Sequence, residues 1–338
     1  MNIYDYILKY QDKKIEEINN LDALIFTRLS YLHIENIQDK LPISIFDLNE
    51  YLEEMKTNER DTKLINLLKD TKRYRNLVIN RCESILDIAK EEQFMAITIT
   101  LPKNSLFISF RGTNKNVYGF KEDMNMSFKV VPSCIDGLNY LENENKLKKL
   151  YIGGHSKGGH IAMYSAINAS LSTKIRIMKV YNFDGPGFLE IDNNFVKMQD
   201  KIINFFPEDS VVGRMLNNTS IIYPVKTTKQ GIESHNLYKW MINDNDLLYG
   251  KLTKESDEFH EVCLSLIKKI SLEKREVVIN YFFNLMMQGK IKNIKDLNVE
   301  TIKDFIKNTP KLNKEEKNEL MIFMKTLFKC CLPSLNKK

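Results

Sequence analysis

Apolar residues recur at three-to-four spacing at Ile15, Ile18, Leu21, Ile25, Leu29 and Leu32, and again at Leu64, Ile65, Leu67 and Leu68. That is the period of one helix face, so residues 1–75 read as helices that would cover a sheet rather than build one. From Leu77 the texture changes to short β-rich runs: LVI, then Met95 to Leu101 (MAITITL), the turn PKNS, and Leu106 to Phe110 (LFISF). Two alternating runs separated by a turn predict a hairpin.

Farther along, strand-like and helix-like runs alternate. Lys149 to Ile152 precedes a helix from about Gly158 to Leu171, and Arg176 to Phe183, Lys201 to Phe206 and Ser220 to Val225 follow. Parallel neighbours need a long crossover, which is usually a helix, so the alternation predicts an α/β core with a mostly parallel sheet. After about Asp246 the strand signal stops, and Phe259, Val262, Leu266, Val277, Ile279, Phe282 and Leu285 lie in Lys/Glu-rich helical sequence. The expected organisation is a helical N-terminal segment (1–75), an α/β core (76–248) and a helical C-terminal extension (249–338).

Composition narrows the class. With 338 residues, 43% hydrophobic and 28% charged, the chain has the make-up of a globular protein and not of a disordered or collagen-like one. The net charge of +6 is spread along the chain, which argues against a nucleic-acid partner. Five cysteines without CxxC spacing indicate neither a disulfide framework nor a zinc knuckle, and fit a reducing compartment. MNIYDYILKYQDKK carries Asp5 and no continuous apolar run, and no later stretch is long and apolar enough to span a bilayer; the expected location is the cytoplasm.

The chemistry concentrates in KKLYIGGHSKGGHIAMYSA. Gly154-His155-Ser156-Lys157-Gly158 is a G-x-S-x-G placed after an apolar run and before a helical one, the context of a nucleophile elbow. A tight turn there strains the serine, and side chains at Gly154 or Gly158 would strike the adjoining strand or helix. In return Ser156 Oγ is exposed, and the Lys157 amide opens a helix, where it would donate to an oxyanion. The competing view is a glycine-rich strand-to-helix turn with an inert serine. A phosphate loop does not fit, because Gly159-His160 follows where Lys-Ser/Thr is required. His155 and His160, five apart, do not share a helix face, so no metal pair is indicated. The second oxyanion donor normally comes from the loop after an earlier strand. LFISFRGTN supplies one, turning through Arg111, Gly112 and Thr113, with the Thr113 amide as candidate and Arg111 as a structural tie; an ordinary strand end capped by threonine is the alternative.

SFRGTNKNVYGFKEDMNMSF, GGHSKGGHIAMYSA, YNFDGPGF, FFPEDSVVG and SHNLYKW, in that order, resemble the Mbeg-like branch of the α/β-hydrolase superfamily, close to the class-3 (fungal-type) lipases. DYILKY, LDALIFTRLSYL and the tail FHEVCLSLIKKISLEKREVVINYFF are similar as well, so the resemblance spans nearly the whole chain. It implies a three-layer α/β-hydrolase core, a lipase-like oxyanion loop at Arg111-Gly112-Thr113, and Ser156 as nucleophile.

The base follows the serine in chain order, which leaves His235 and His260. His235 sits in a loop after the last strand-like run, and the resemblance points to the same residue; His260 reads as a helix-face residue. The orienting carboxylate is expected on a loop ending a strand between Ser156 and His235. Asp209 in FFPEDSVVG is preferred, although aligning SVVGRM with the lipase pattern D-x-V-P-x-L puts Ser210 there; Asp184 in NFDGPGF is the alternative. Tyr118, Phe120, Met124, Met126 and Phe128, around Glu122-Asp123, belong either to a lid or acyl-binding helix or to ordinary core packing. The expected function is hydrolysis of a carboxylic, plausibly lipid, ester with no metal or organic cofactor. Two alternatives stand beside it: a catalytically silent α/β-hydrolase scaffold that binds a partner protein, and a peripheral membrane phospholipase.

Overall fold

The computed structural model describes residues 1–114, 116–218, 220–288 and 299–331. Near the N-terminus, helices α1 (Ile3–Lys9), α2 (Asn20–Leu29) and α3 (Glu59–Lys69) each start on an asparagine, Asn2, Asn19 and Asn58, whose side chain accepts the first free amides of the helix. Asp5 and Asp22 complete capping boxes in the first two. The periodicity of this segment concealed one strand, β1 (Ile43–Ser44), which pairs antiparallel with Val78 and Ile79. A two-residue strand is too short to show a period.

The sheet has eight strands in chain order. β2 (Val78–Asp87), β3 (Glu92–Leu101) and β4 (Ser105–Phe110) form an antiparallel meander, with the expected hairpin between the last two. From β4 onward every pairing is parallel, through β5 (Lys149–His155), β6 (Ile177–Phe183), β7 (Ile202–Pro207) and β8 (Ile222–Val225). The crossovers are α4 (Val117–Asn125), α5 (Pro132–Glu142), α6 (Lys157–Asn168), α7 (Leu171–Arg176) and α8 (Asn193–Met198). The inner parallel strands are buried along most of their length and run largely apolar, as a sheet sandwiched between helical layers requires, while the edge strand β8 is partly exposed. One core gathers Leu24, Phe26 and Leu29 of α2 against Phe107 and Tyr181; the other gathers Cys134 and Leu141 of α5 and Ile161 and Ala162 of α6 against Ile108 and Ile152. This is the three-layer α/β arrangement.

Register fixes where chemistry can sit. Phe110 lies beside Gly154, His155 beside Phe183, and Phe183 beside Phe205, so the C-terminal ends of β4 to β7 align along one edge. Loops leaving that edge converge, the usual place for a site in an open parallel sheet. Past the sheet come α9 (Lys254–Lys269), α10 (Leu272–Met287), α11 (Val299–Asn308) and α12 (Lys314–Cys331). Phe120, Met124 and Phe128 pack into the core these helices share, with the Phe120 and Phe283 rings 5.9 Å apart. The apolar face of α4 is thus covered, as core packing predicts. Among the described residues no helix is long and apolar enough to cross a membrane.

Candidate active site

Ser156 stands between β5 and α6 at φ 59°, ψ −132°, a backbone region that costs a non-glycine residue of order 1–3 kcal/mol. The flanking glycines permit it. A Cβ at Gly154 would sit 2.7 Å from the Gly159 amide nitrogen, and one at Gly158 would sit 2.8 Å from the Arg111 carbonyl carbon. Gly112 is tied to the same turn, since its Cβ would lie 3.0 Å from Ser156 Cβ. Arg111, nearly fully buried, anchors the loop through Nη1 to Glu35 Oε1 at 3.1 Å.

His235 is brought to this edge by the loop beyond β8. Its Nδ1 lies 2.6 Å from Asp184 Oδ2, which turns Nε2 to the opposite edge of the ring. Ser156 Oγ makes no hydrogen bond among the described residues. The carboxylate that meets His235 is Asp184, in place of the preferred Asp209. Both residues end parallel strands, but the Asp209 carboxylate turns away and accepts the Gly231 amide. Asp184, at φ 51° directly after β6, is 1% exposed and has its other oxygen filled by Ser210 Oγ at 2.5 Å and the Gly213 amide at 3.1 Å. Ser210, which the lipase pattern would put in the acid's place, is instead a donor to Asp184. His260 Nδ1 donates to the Arg214 carbonyl, 2.7 Å away, and the ring stays out of the site.

A second histidine supports the first. The His155 ring packs on His235 at 4.3 Å between centroids, and its Nε2 lies 2.8 Å from the His235 carbonyl oxygen. A carbonyl only accepts, so Nε2 carries the hydrogen and Nδ1 accepts from the Tyr31 hydroxyl at 2.7 Å. Burial, followed by the neighbouring His235, holds the His155 pKa well below the usual histidine range, which keeps it neutral. Tyr31 and His155 carry no local sequence signal for this role. The pairing joins residues 124 positions apart and depends on the N-terminal segment folding over the sheet edge.

The loop at Thr113 has its own frame. The backbone amides of Thr113 and Lys157 have no acceptor among the described residues. The Lys157 side chain, fully buried, donates to Glu122 Oε2 at 2.5 Å and to the Gln93 carbonyl at 2.7 Å. Glu122 also accepts the amides of Gln93 and Ser133, both at 3.0 Å. Gln93 in turn grips Asn114, accepting its amide at 3.1 Å and donating to its side-chain oxygen. Thr113 Oγ1 donates to Asp123 Oδ1 at 2.6 Å. Burial raises the Asp123 pKa to about 6 against the opposing pull of Lys157. Two consecutive loop residues are therefore fastened to β3 and α4, and the same frame holds the side chain of Lys157.

A family model described as Mbeg1-like matches residues 68–284, more than half of the chain. The chain belongs to the Mbeg1-like family. The matched span takes in the elbow, the oxyanion loop, Asp184 and His235, and leaves Tyr31 outside it. Among solved structures, the crystal structure of M37 lipase matches with 17% identity and a TM-score of 0.36, covering 60% of this chain and 71% of that one. A likeness so distant carries no weight for function. No curated protein matches the chain.

Proposed function

We propose that this protein is a serine hydrolase that cleaves carboxylic esters through an acyl-enzyme. The observation that carries the proposal is a strained, glycine-flanked serine on the edge where His235 is held by Asp184 at 2.6 Å. In this scheme Asp184 fixes the His235 tautomer and stabilises the imidazolium, while His235 Nε2 takes the Ser156 proton as Oγ attacks the acyl carbon. The Lys157 and Thr113 amides receive the oxyanion. His235 then protonates the departing alcohol, and water, activated by the same ring, releases the acid. Five free thiols support a reducing, cytoplasmic setting.

The test is labelling with a fluorophosphonate probe, followed by aryl esters of increasing acyl length. Wild-type protein is expected to be labelled and Ser156→Ala to be silent, with hydrolysis lost in parallel. Folded wild-type protein that takes up no probe and turns over no ester would return the chain to the silent-scaffold alternative.

A further inference from the structure

A cavity of about 520 Å³ opens between the N-terminal segment and the oxyanion loop. It reaches the site at two points. Asn114 directly follows Thr113, and Tyr31, whose hydroxyl is bonded to His155, forms one wall. Its size suits a small ligand, but its lining is unlike an acyl tunnel. Arg28, Asp61, Asn58, Lys56, Asn114 and Asn116 face it.

The hydrogen-bond inventory of that wall is lopsided. Asp61 is consumed by the Arg28 fork at 2.9 and 2.7 Å, by Asn58, and by the Tyr238 hydroxyl at 2.6 Å. Asn58 Oδ1 caps α3. Asn116 Oδ1 accepts the Tyr118 amide at 2.8 Å, which fixes the orientation of that carboxamide and leaves Nδ2 unspent. Asn114 Oδ1 accepts both the Gln93 side chain and the Asn116 amide, so its Nδ2 is unspent too. Lys56 Nζ has no partner among the described residues. Arg28 and Asp61 cancel in charge, and the side-chain groups left over include two amide donors and one ammonium, with the side-chain acceptors of Asp61, Asn58, Asn114 and Asn116 all taken. Such a wall fits an anionic group rich in acceptors, because charge-assisted bonds to phosphate are about twice as strong as neutral ones.

Building on the serine hydrolase proposal, we propose that this cavity receives the alcohol side of the ester and that this alcohol carries a phosphate. Ser156 Oγ bonds to the acyl carbon, the carbon–oxygen bond to the alcohol breaks, and the alcohol departs with the proton from His235 while its phosphate is held by Lys56, Asn114 and Asn116. The same chemistry serves a phospholipid headgroup and a soluble phosphorylated ester.

The experiment compares two esters with the same hexanoyl group, one on glycerol and one on glycerol phosphate, in wild type, Lys56→Asn and Asn116→Asp. Lys56 has φ 48°, which asparagine tolerates, and aspartate keeps the cap on α4, so both variants are built to fold; thermal melts check this. The expected wild-type kcat/KM favours the phosphorylated ester, and the preference falls roughly tenfold in each variant. Glycerol phosphate, unlike glycerol, is expected to slow fluorophosphonate labelling of wild type, a readout that needs no variant. Cleavage of phosphatidylglycerol vesicles would assign the lipid source, and cleavage of the soluble ester alone the other. If Ser156 is labelled and the neutral ester is cleaved, but wild type shows no preference or the variants keep it, the phosphate subsite is wrong and the hydrolase stands. If no ester is cleaved and no probe reacts, both fall.

Discussion

Two carboxylate contacts of nearly equal length lie on the elements around Ser156, and they differ in how far they are closed off from water. On one side His235 meets Asp184 at 2.6 Å, with the imidazole 21% exposed and the carboxylate 1%. On the other, Lys157 meets Glu122 at 2.5 Å with neither side chain exposed at all. A group that passes protons must reach substrate and water; a group that only holds geometry gains by excluding them. Charges this deeply buried rarely add net stability over an apolar pair of the same volume. The Lys157–Glu122 pair makes physical sense as a fastener. Its lysine carries the amide proposed for the oxyanion, and its glutamate helps to seat the strand and helix that grip Thr113 and Asn114.

The largest effect should come from the proton-moving side. Asp184→Asn is expected to lower kcat by about 10³–10⁴, the cost of a mis-set histidine tautomer. Asp209→Asn should stay within a few-fold of wild type, because Asp209 serves the Gly231 amide. Steady-state rates on one aryl ester decide it, and a slower Asp209 variant would reverse the assignment. The oxyanion side should respond more mildly. Lys157→Met paired with Glu122→Gln removes both charges but keeps an oxygen for only one of the Gln93 and Ser133 amides, which bond different oxygens of Glu122. Its melting temperature should fall by less than that of Lys157→Met alone, whereas kcat should fall by about tenfold to a hundredfold with little change in KM, less than the full loss of one oxyanion donor. Lys157→Met alone strands a buried carboxylate and should cost about 3–5 kcal/mol of stability. A double variant with wild-type kcat would reduce the pair to a packing feature.

The difference between the two sides also marks what could be read in the sequence. KLYIGGHSKGG announces its strand, its strained turn and its helix through neighbours within a dozen positions, and the parallel strands follow from local runs. The acid was less legible. Asp184 and Asp209 both follow apolar strands, and chain order does not say which carboxylate the loop carrying His235 will meet; that depends on the register that sets Phe183 beside Phe205. Lys157, Glu122 and Gln93 were harder still, since nothing in their neighbouring residues says that a lysine after Ser156 and a glutamate 35 positions earlier will be buried against each other. Only the packing of α4 against β3 buries them. Local chemistry was visible, and partnerships across elements were not.

Asp123 offers the finest probe of this division. Its native pKa, raised by burial to about 6 from 3.8, means that the folded protein holds a proton between about pH 4 and 6 that the unfolded chain has released. Stability should accordingly fall as pH rises through that window and stay level above it. Asp123→Asn removes the ionisation and keeps an acceptor for the Thr113 hydroxyl, so it should be more stable than wild type by about 1–2 kcal/mol at pH 8, allowing for the partial exposure of the carboxylate. The gap should close near pH 3, below both values, where wild type is protonated in both states. Melting curves at pH 3, 5, 6 and 8 read this directly. A gap independent of pH would mean that Asp123 titrates as an ordinary surface carboxylate, leaving only Glu122, Lys157 and Gln93 to define the water-excluded frame around the oxyanion loop.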